Sequence, residues 1–358
     1  MSNFSLSSDI KINTQIVNQN EKIVVVSGFR RAYGLGVGKN FILIPDFETG
    51  LIYQVNIEKN KTKILYREND KLKYLSFLQK INKNKLGKEI VQPHDIIIDD
   101  KSNIYISEMG PGRGSGKGKI SIFDKNFSLI KDLGLEIHNN YGLISPVMIN
   151  KIEDKYYVSE YGAHKILRFS EKYEFLDWIG EEKEIDKKIK NNSWEISKQF
   201  ININLNSPHA IKMGPNNNLY IADTDNDRIL RFSESGKFKG WIGKNENGTF
   251  NNNWSLDGKS VSGKELGAFN KPLDLVIKGD FLYVTEIENS RIVKVGLDGK
   301  SYGWLAIGLN SSHFEWSKDY SNKIDLEHPY GIKIKNNVIY IADRRKNRIK
   351  IIYSKNLF

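Results

Sequence analysis

The chain has 358 residues, of which 54 are Lys or Arg and 43 are Asp or Glu, for a formal charge of +11, and it has no cysteine. The last point excludes a disulfide framework and a thiolate metal site, so any metal must be held by nitrogen and oxygen. No apolar run reaches the length of a membrane span, and the polar start, Met1 to Gln19, lacks the basic-then-apolar order of a secretory signal; the expectation is a cytoplasmic protein with no membrane partner.

In chain order, residues 1–22 read as a polar N-terminal segment, and residues 23–358 as one domain. Ile23 to Ser27, "IVVVS", is a β-favouring run that precedes any repeat. A frame then begins at Ala32–Tyr33–Gly34 and continues "KNFILIPDFETGLIYQV". It recurs at Pro93–His94–Asp95 with "SNIYISEMG", and at Pro146–Val147–Met148 with "DKYYVSEYGAHKILRF". Three further copies start at Pro208–His209–Ala210, Pro272–Leu273–Asp274 and Pro329–Tyr330–Gly331; the first and last of these carry "NLYIADTDNDRILRF" and "VIYIADRRKNRIKII".

Each copy holds an apolar run after its first residue, an alternating run ending in an acid, a third run, and an aromatic-rich closing run such as "FKGWIG". Such a unit reads as four short antiparallel strands, and six units repeated around an axis predict an all-β, six-bladed β-propeller. The last copy runs out of chain before its outer strand. Ile23 to Ser27 is therefore expected to pair into the sixth blade and close the ring, removing a sheet edge.

The frame "P-x-x-I…LYIAD…N-x-R-I", clearest at Pro208 to Phe232 and Pro329 to Ile352, resembles the NHL repeat over roughly residues 30–358. That resemblance implies the propeller fold. It leaves function open among enzymes, protein scaffolds and RNA-binding modules.

Strand direction in a meander places the start of each inner strand, the loop after each acid and the connections between blades at one end of the channel. The long connections, 58–90, 181–207, 244–271 and 309–328, gather there, and three of them carry Trp194, Trp254 and Trp316. These are candidate binding residues, with the pinning of their own loops as the alternative.

The second residue of each copy, which follows a proline in all but the first, begins the strand lining the channel. Around the ring these residues are Tyr33, His94, Val147, His209, Leu273 and Tyr330, so the even-numbered blades contribute His, His and Tyr. Three nitrogen and oxygen donors converging on an axis suit one divalent ion such as zinc, with His94 and His209 as ligands or acid–base groups. The Pro-His contexts on alternating blades are similar to those of the peptidyl-α-hydroxyglycine α-amidating lyase family, where three such histidines hold the catalytic metal. The resemblance carries to His94 and His209; the third position is Tyr330, and His328 lies two residues before it. A structural role for the histidines, capping a polar channel, is the alternative.

Tyr330, Tyr33 and the Arg30–Arg31 pair are the remaining candidate catalytic residues, and Asp95 and Asp274 are candidate binding residues. The six acids Asp46, Glu108, Glu160, Asp223, Glu286 and Asp343 are expected to tie down their own loops, because a repeated feature answers a repeated structural need. The segment Gly110 to Lys119, "GPGRGSGKGK", lacks the phosphate-loop spacing and reads as a basic loop on the same rim.

The functional expectation is a metal-dependent lyase or hydrolase acting on a small molecule or peptide at the channel mouth. The alternative is a non-catalytic propeller that binds a protein partner or a glycan. RNA binding is disfavoured: residues 58–90 carry ten basic and four acidic side chains, but only Tyr66, Tyr74 and Phe77 offer base-stacking rings beside them.

Overall fold

The chain's near-continuous apolar runs need burial on both faces, and the fold supplies it by stacking sheets face to face around an axis. The computed structural model describes residues 10–59, 61–68, 71–74, 90–111, 118–133, 145–180, 204–250, 253–307, 314–319, 324–354 and 357–358. Six antiparallel sheets, the blades, start from inner strands Gly36–Val37, Pro93–Ile98, Pro146–Ile152, Pro208–Met213, Pro272–Lys278 and Pro329–Lys335. Each inner strand packs against those of the next and previous blades, and the last returns to the first, so the ring is closed.

The second strand of every blade ends in the acid of the repeat, as in Ile42–Asp46 and Asn218–Asp223, and is buried along nearly its whole length. Six apolar cores lie one in each gap between neighbouring blades. Leu43, Ile52, Ile96 and Ile106 fill the first gap, for example, and Val24, Val26, Ile42 and Ile351 the last. Each such side chain contributes about 1.5–3 kcal/mol on full burial.

Ring closure follows the expected route. Glu21–Ser27 pairs antiparallel with Arg348–Tyr353, with Val25 opposite Lys350, as the fourth strand of blade 6. Two details differ from the four-strand reading. Lys11–Asn18, within the segment read as a polar extension, adds a fifth strand outside Glu21–Ser27; its mostly exposed side chains give it no apolar alternation to detect. Blades 1 and 5 also carry a fifth strand, Lys71–Tyr74 and Phe314–Ser317, in stretches whose charge and polarity read as loop. Residues 61–68 of the basic segment likewise form the fourth strand of blade 1, where Arg67 is buried in a bidentate pair with Asp132 of blade 2 at 2.7 and 2.9 Å.

No helix among the described residues is long and apolar enough to cross a membrane.

Candidate functional site at the looped end of the channel

The six acids perform the structural task expected of them. Each accepts a backbone N–H from one or two residues before the first residue of its own repeat: Arg30 to Asp46 (3.0 Å), Val91 to Glu108 (2.9 Å), Ser145 to Glu160 (2.5 Å), Asn206 to Asp223 (2.7 Å), Asn270 to Glu286 (2.8 Å) and Glu327 to Asp343 (2.7 Å). The basic residue five positions on adds its guanidinium in three blades, Arg228 on Asp223 (2.7 Å), Arg291 on Glu286 and Arg348 on Asp343 (2.6 Å). Burial pushes the Glu286 carboxyl above its usual range while Arg291 and the amides pull it back.

This anchor sets the geometry of the next residues. In four blades the residue before the proline is held in the left-handed region, at φ 52° for Gln92, 54° for Ser207, 53° for Lys271 and 55° for His328. A left-handed residue with a side chain costs roughly 1–2 kcal/mol, which the anchoring hydrogen bonds offset. Immediately after the proline the pairing register slips, between Pro93 and Ile96, Pro208 and Ile211, Pro272 and Leu275, and Pro329 and Ile332. Such a bulge re-aims one side chain. Here it turns the residue after each proline onto the axis.

Tyr33, His94, Val147, His209, Leu273 and Tyr330 thus meet as one layer across the channel, none more than 9% exposed. The Tyr330 hydroxyl lies 3.1 Å from Nε2 of His94 and 3.1 Å from Nε2 of His209. Tyr33 joins them, stacked on His94 with centroids 4.7 Å apart and edge-on to Tyr330 at 4.6 Å.

The hydrogen-bond partners assign the tautomers. Nδ1 of His94 faces the Val147 carbonyl at 2.9 Å; a carbonyl only accepts, so the proton is on Nδ1. Nδ1 of His209 faces the Ser207 carbonyl and the Thr224 hydroxyl oxygen, both at 3.1 Å, and Thr224 donates its own proton to the Pro272 carbonyl at 2.7 Å. His209 therefore also carries its proton on Nδ1 when neutral. Two acceptor nitrogens then converge on a hydroxyl that has one proton. This donor set has a place for one further positive charge, either a proton that makes an imidazolium or a cation held by both nitrogens and the oxygen. Among the described residues no group of three His, Asp or Glu that could hold a metal ion forms; the third polar group beside the two imidazoles is the Tyr330 hydroxyl.

A second ring stands over this layer, formed by the residue after each acid: Phe47, Met109, Tyr161, Thr224, Ile287 and Arg344. Phe47 meets Tyr33 edge-on at 4.8 Å, and Tyr161 meets His209 at 5.1 Å. The Arg344 guanidinium lies over the Tyr33 ring at 4.9 Å and the Tyr330 ring at 5.9 Å, and its buried Nε has no hydrogen-bond partner. Reading the position after each acid around the ring, as was done after each proline, is the signal that finds these residues; the sequence reading passed over them.

Other candidates sit elsewhere. Arg31 pairs with Glu48 at the surface (2.9 Å), and Arg30 serves Asp46 through its backbone. His328 is half-buried, and its ring meets Arg345 rather than His94, His209 or Tyr330. Asp95 and Asp274 lie in a separate polar layer, paired with the Lys333 amine at 3.5 and 3.2 Å. Trp254 donates to the Leu297 carbonyl and Trp316 to the Leu357 carbonyl, both at 3.0 Å, so each pins a loop or the C-terminal residues. Trp194, Phe77 and residues 112–117 of the glycine-rich loop lie outside the described residues.

With this geometry established, comparison with known proteins is informative. Residues 205–232 match the family model of the NHL repeat. Comparison with curated proteins gave no match. Among solved structures, this six-bladed propeller resembles a virginiamycin B lyase from Staphylococcus aureus at 14% identity and TM-score 0.51, covering 96% of this chain and 99% of that one. A gluconolactonase from Xanthomonas campestris aligns at 10% identity and TM-score 0.52, covering 92% and 89%. An auxiliary nutrient binding protein from Bacteroides thetaiotaomicron aligns at 13% identity and TM-score 0.55, covering 91% and 69%. At these identities the likeness is one of fold.

Proposed function

We infer that the looped end of the channel is a catalytic ligand site in which His94, His209 and Tyr330 hold a divalent cation such as zinc, and that the chain acts as a metal-dependent lyase or hydrolase on a small molecule or peptide. One observation carries this reading: the Tyr330 hydroxyl sits between two Nε2 atoms, each 3.1 Å away, and both nitrogens are acceptors. A cation bound there supplies Lewis acidity toward a carbonyl or a water.

The protein's own residues do the rest. Ser207, Thr224 and Val147 fix the two imidazoles through their Nδ1 protons. Phe47, Tyr161 and Ile287 offer an apolar wall, and Arg344, lying over the Tyr33 ring, offers a guanidinium to a carboxylate or other anionic group. The preferred ligand is therefore an anion with an apolar or aromatic body. Enzymes occur among the similar folds: one virginiamycin B lyase, 16% identical to this chain, is catalytically inactive as a histidine-to-alanine variant.

The burial of the triad favours a second reading, ligand binding without chemistry, which the nutrient-binding relative parallels. Metal analysis of the purified protein with His94→Ala and His209→Ala separates the two. The enzymatic reading expects one metal ion per chain, lost in both variants, together with hydrolysis or elimination in a screen of aromatic carboxylates, lactones and peptides. Absence of stoichiometric metal, with the variants matching the parent in that screen, overturns it. Arg344→Gln is expected to weaken an anionic ligand at least tenfold, about 1.4 kcal/mol, and to leave a neutral analogue unaffected.

A further inference from the structure

The mouth site leaves unused the second polar layer of the channel. Lys212 follows His209 by three residues along the same inner strand, roughly 10 Å further down the bore, and Lys333 follows Tyr330 in the same way. Lys333 is the committed cation of this layer. Its amine meets Asp274 at 3.2 Å and Asp95 at 3.5 Å, and the Asp274 carboxylate also accepts the backbone N–H groups of Ile332 (2.8 Å) and Leu275 (2.9 Å).

Lys212 is placed differently. Its amine donates to the Oδ1 atom of Asn150, from the neighbouring blade, and to no carboxylate among the described residues. Asn150 is only 5% exposed, and its Nδ2 donor has no hydrogen-bond partner. An ammonium with N–H groups to spare and a buried, unpartnered amide donor are thus held side by side. An orphaned buried donor costs about 1–3 kcal/mol, which an acceptor placed there removes.

We propose that Lys212 and Asn150 bind one small anion, an inorganic anion or a monocarboxylate, inside the channel. Asp274 is engaged by Lys333 and by two backbone N–H groups, and Asp95 meets Lys333 through Oδ2 while its buried Oδ1 has no hydrogen-bond partner, so the donors offered to a ligand are those of Lys212 and Asn150. Protonation is linked to occupancy. Burial, reinforced by Lys333, lowers the Lys212 amine to about 8 against the opposing pull of Asp274 and Asp95, the charged groups that face it. A bound anion favours the ammonium, so affinity falls as the pH rises through 8.

The test uses the full chain with bromide, nitrate and formate as probes. Bromide-soaked crystals are expected to show an anomalous peak between Lys212 Nζ and Asn150 Nδ2. Calorimetric titration is expected to give an affinity about tenfold weaker at pH 9 than at pH 7, the change in the protonated fraction of an amine titrating near 8. Lys212→Met abolishes binding, and Asn150→Ala weakens it while the Lys212 amine still titrates, so the proposal stays testable if the first variant does not fold. Arg344→Gln, at the mouth, leaves the anomalous peak between Lys212 and Asn150 unchanged. Bromide found only on surface lysines, a water alone at the site, or an affinity flat with pH and equal in both variants overturns the proposal. A preference for formate over bromide identifies the ligand as a carboxylate; equal binding identifies it as an inorganic anion.

Discussion

Two rings of six residues, a few ångströms apart, are put to opposite uses. The acids from Asp46 to Asp343 repeat the same chemistry in every blade, and each holds the same kind of backbone N–H. The residues after the prolines repeat only in place; their chemistry runs from leucine to histidine. In a protein built of copies, what recurs in all copies serves the copies, and what differs is free to serve the whole. On the proposed function the first ring governs stability and the second governs ligands, and this division can be attacked from both sides.

The largest expected effect lies in the acid ring. Glu286 and Arg291 are both essentially fully buried and pair with each other, so Glu286→Ala leaves a buried guanidinium without its partner and is expected to cost about 3–5 kcal/mol. Chemical denaturation measures this, and the metal content of the surviving folded protein should match the parent. Next comes the reverse case, His94→Ala, which is expected to weaken zinc binding by more than about a hundredfold, beyond the cost of losing an outer partner, with a smaller loss of stability than Glu286→Ala. Equal stability losses in the two variants would erase the division. Tyr330→Phe is milder, expected to cost about 1 kcal/mol for the lost hydroxyl contacts, while an NMR titration shows the two imidazoles responding independently.

A further test is the response to pH. Lys212 and Lys350 are both lowered to about 8 from an ordinary value near 10.5, chiefly by burial, with Lys333 and Arg348 adding to it. Below 8 these amines are protonated in both folded and unfolded chains and contribute no slope. Between about 8 and 10 the unfolded chain holds protons the folded chain has released, so stability rises with pH. Burial raises Tyr283 and Tyr340 to about 12, which turns the curve down above about 10, since only the unfolded tyrosines ionise there. Thermal unfolding across this range should show the rise, and Lys350→Met should flatten it.

Repetition made the fold legible. Six frames, six acids and a missing outer strand lead to a closed ring without any long-range contact being known, and the pairing of Val25 with Lys350 agrees. The convergence of His94, His209 and Tyr330 was legible for the same reason, because equivalent positions in a ring share a depth. Arg344 and Tyr161 were not found: their positions are equally regular, but an arginine after an acid looks like a surface charge until an aromatic ring is seen beneath it. The edge strands Lys11–Asn18 and Lys71–Tyr74 were hidden because a strand covered on one side or not at all has little apolar pattern to display. Pairings set by one side chain, such as Lys333 with two aspartates, depend on directions that spacing does not encode.

The clasp in blade 6 also orders events in time. Glu21 accepts the Phe314 N–H at 3.0 Å and the hydroxyl of Ser354, a residue 333 positions later. At roughly 5–20 residues per second on the ribosome, the early strand waits some tens of seconds for its partners, with a row of unpaired amide groups and valines on display. During synthesis this molecule is therefore an open arc with a sticky end, and chaperone capture or pairing with a sibling nascent chain competes with closure until the last strand emerges.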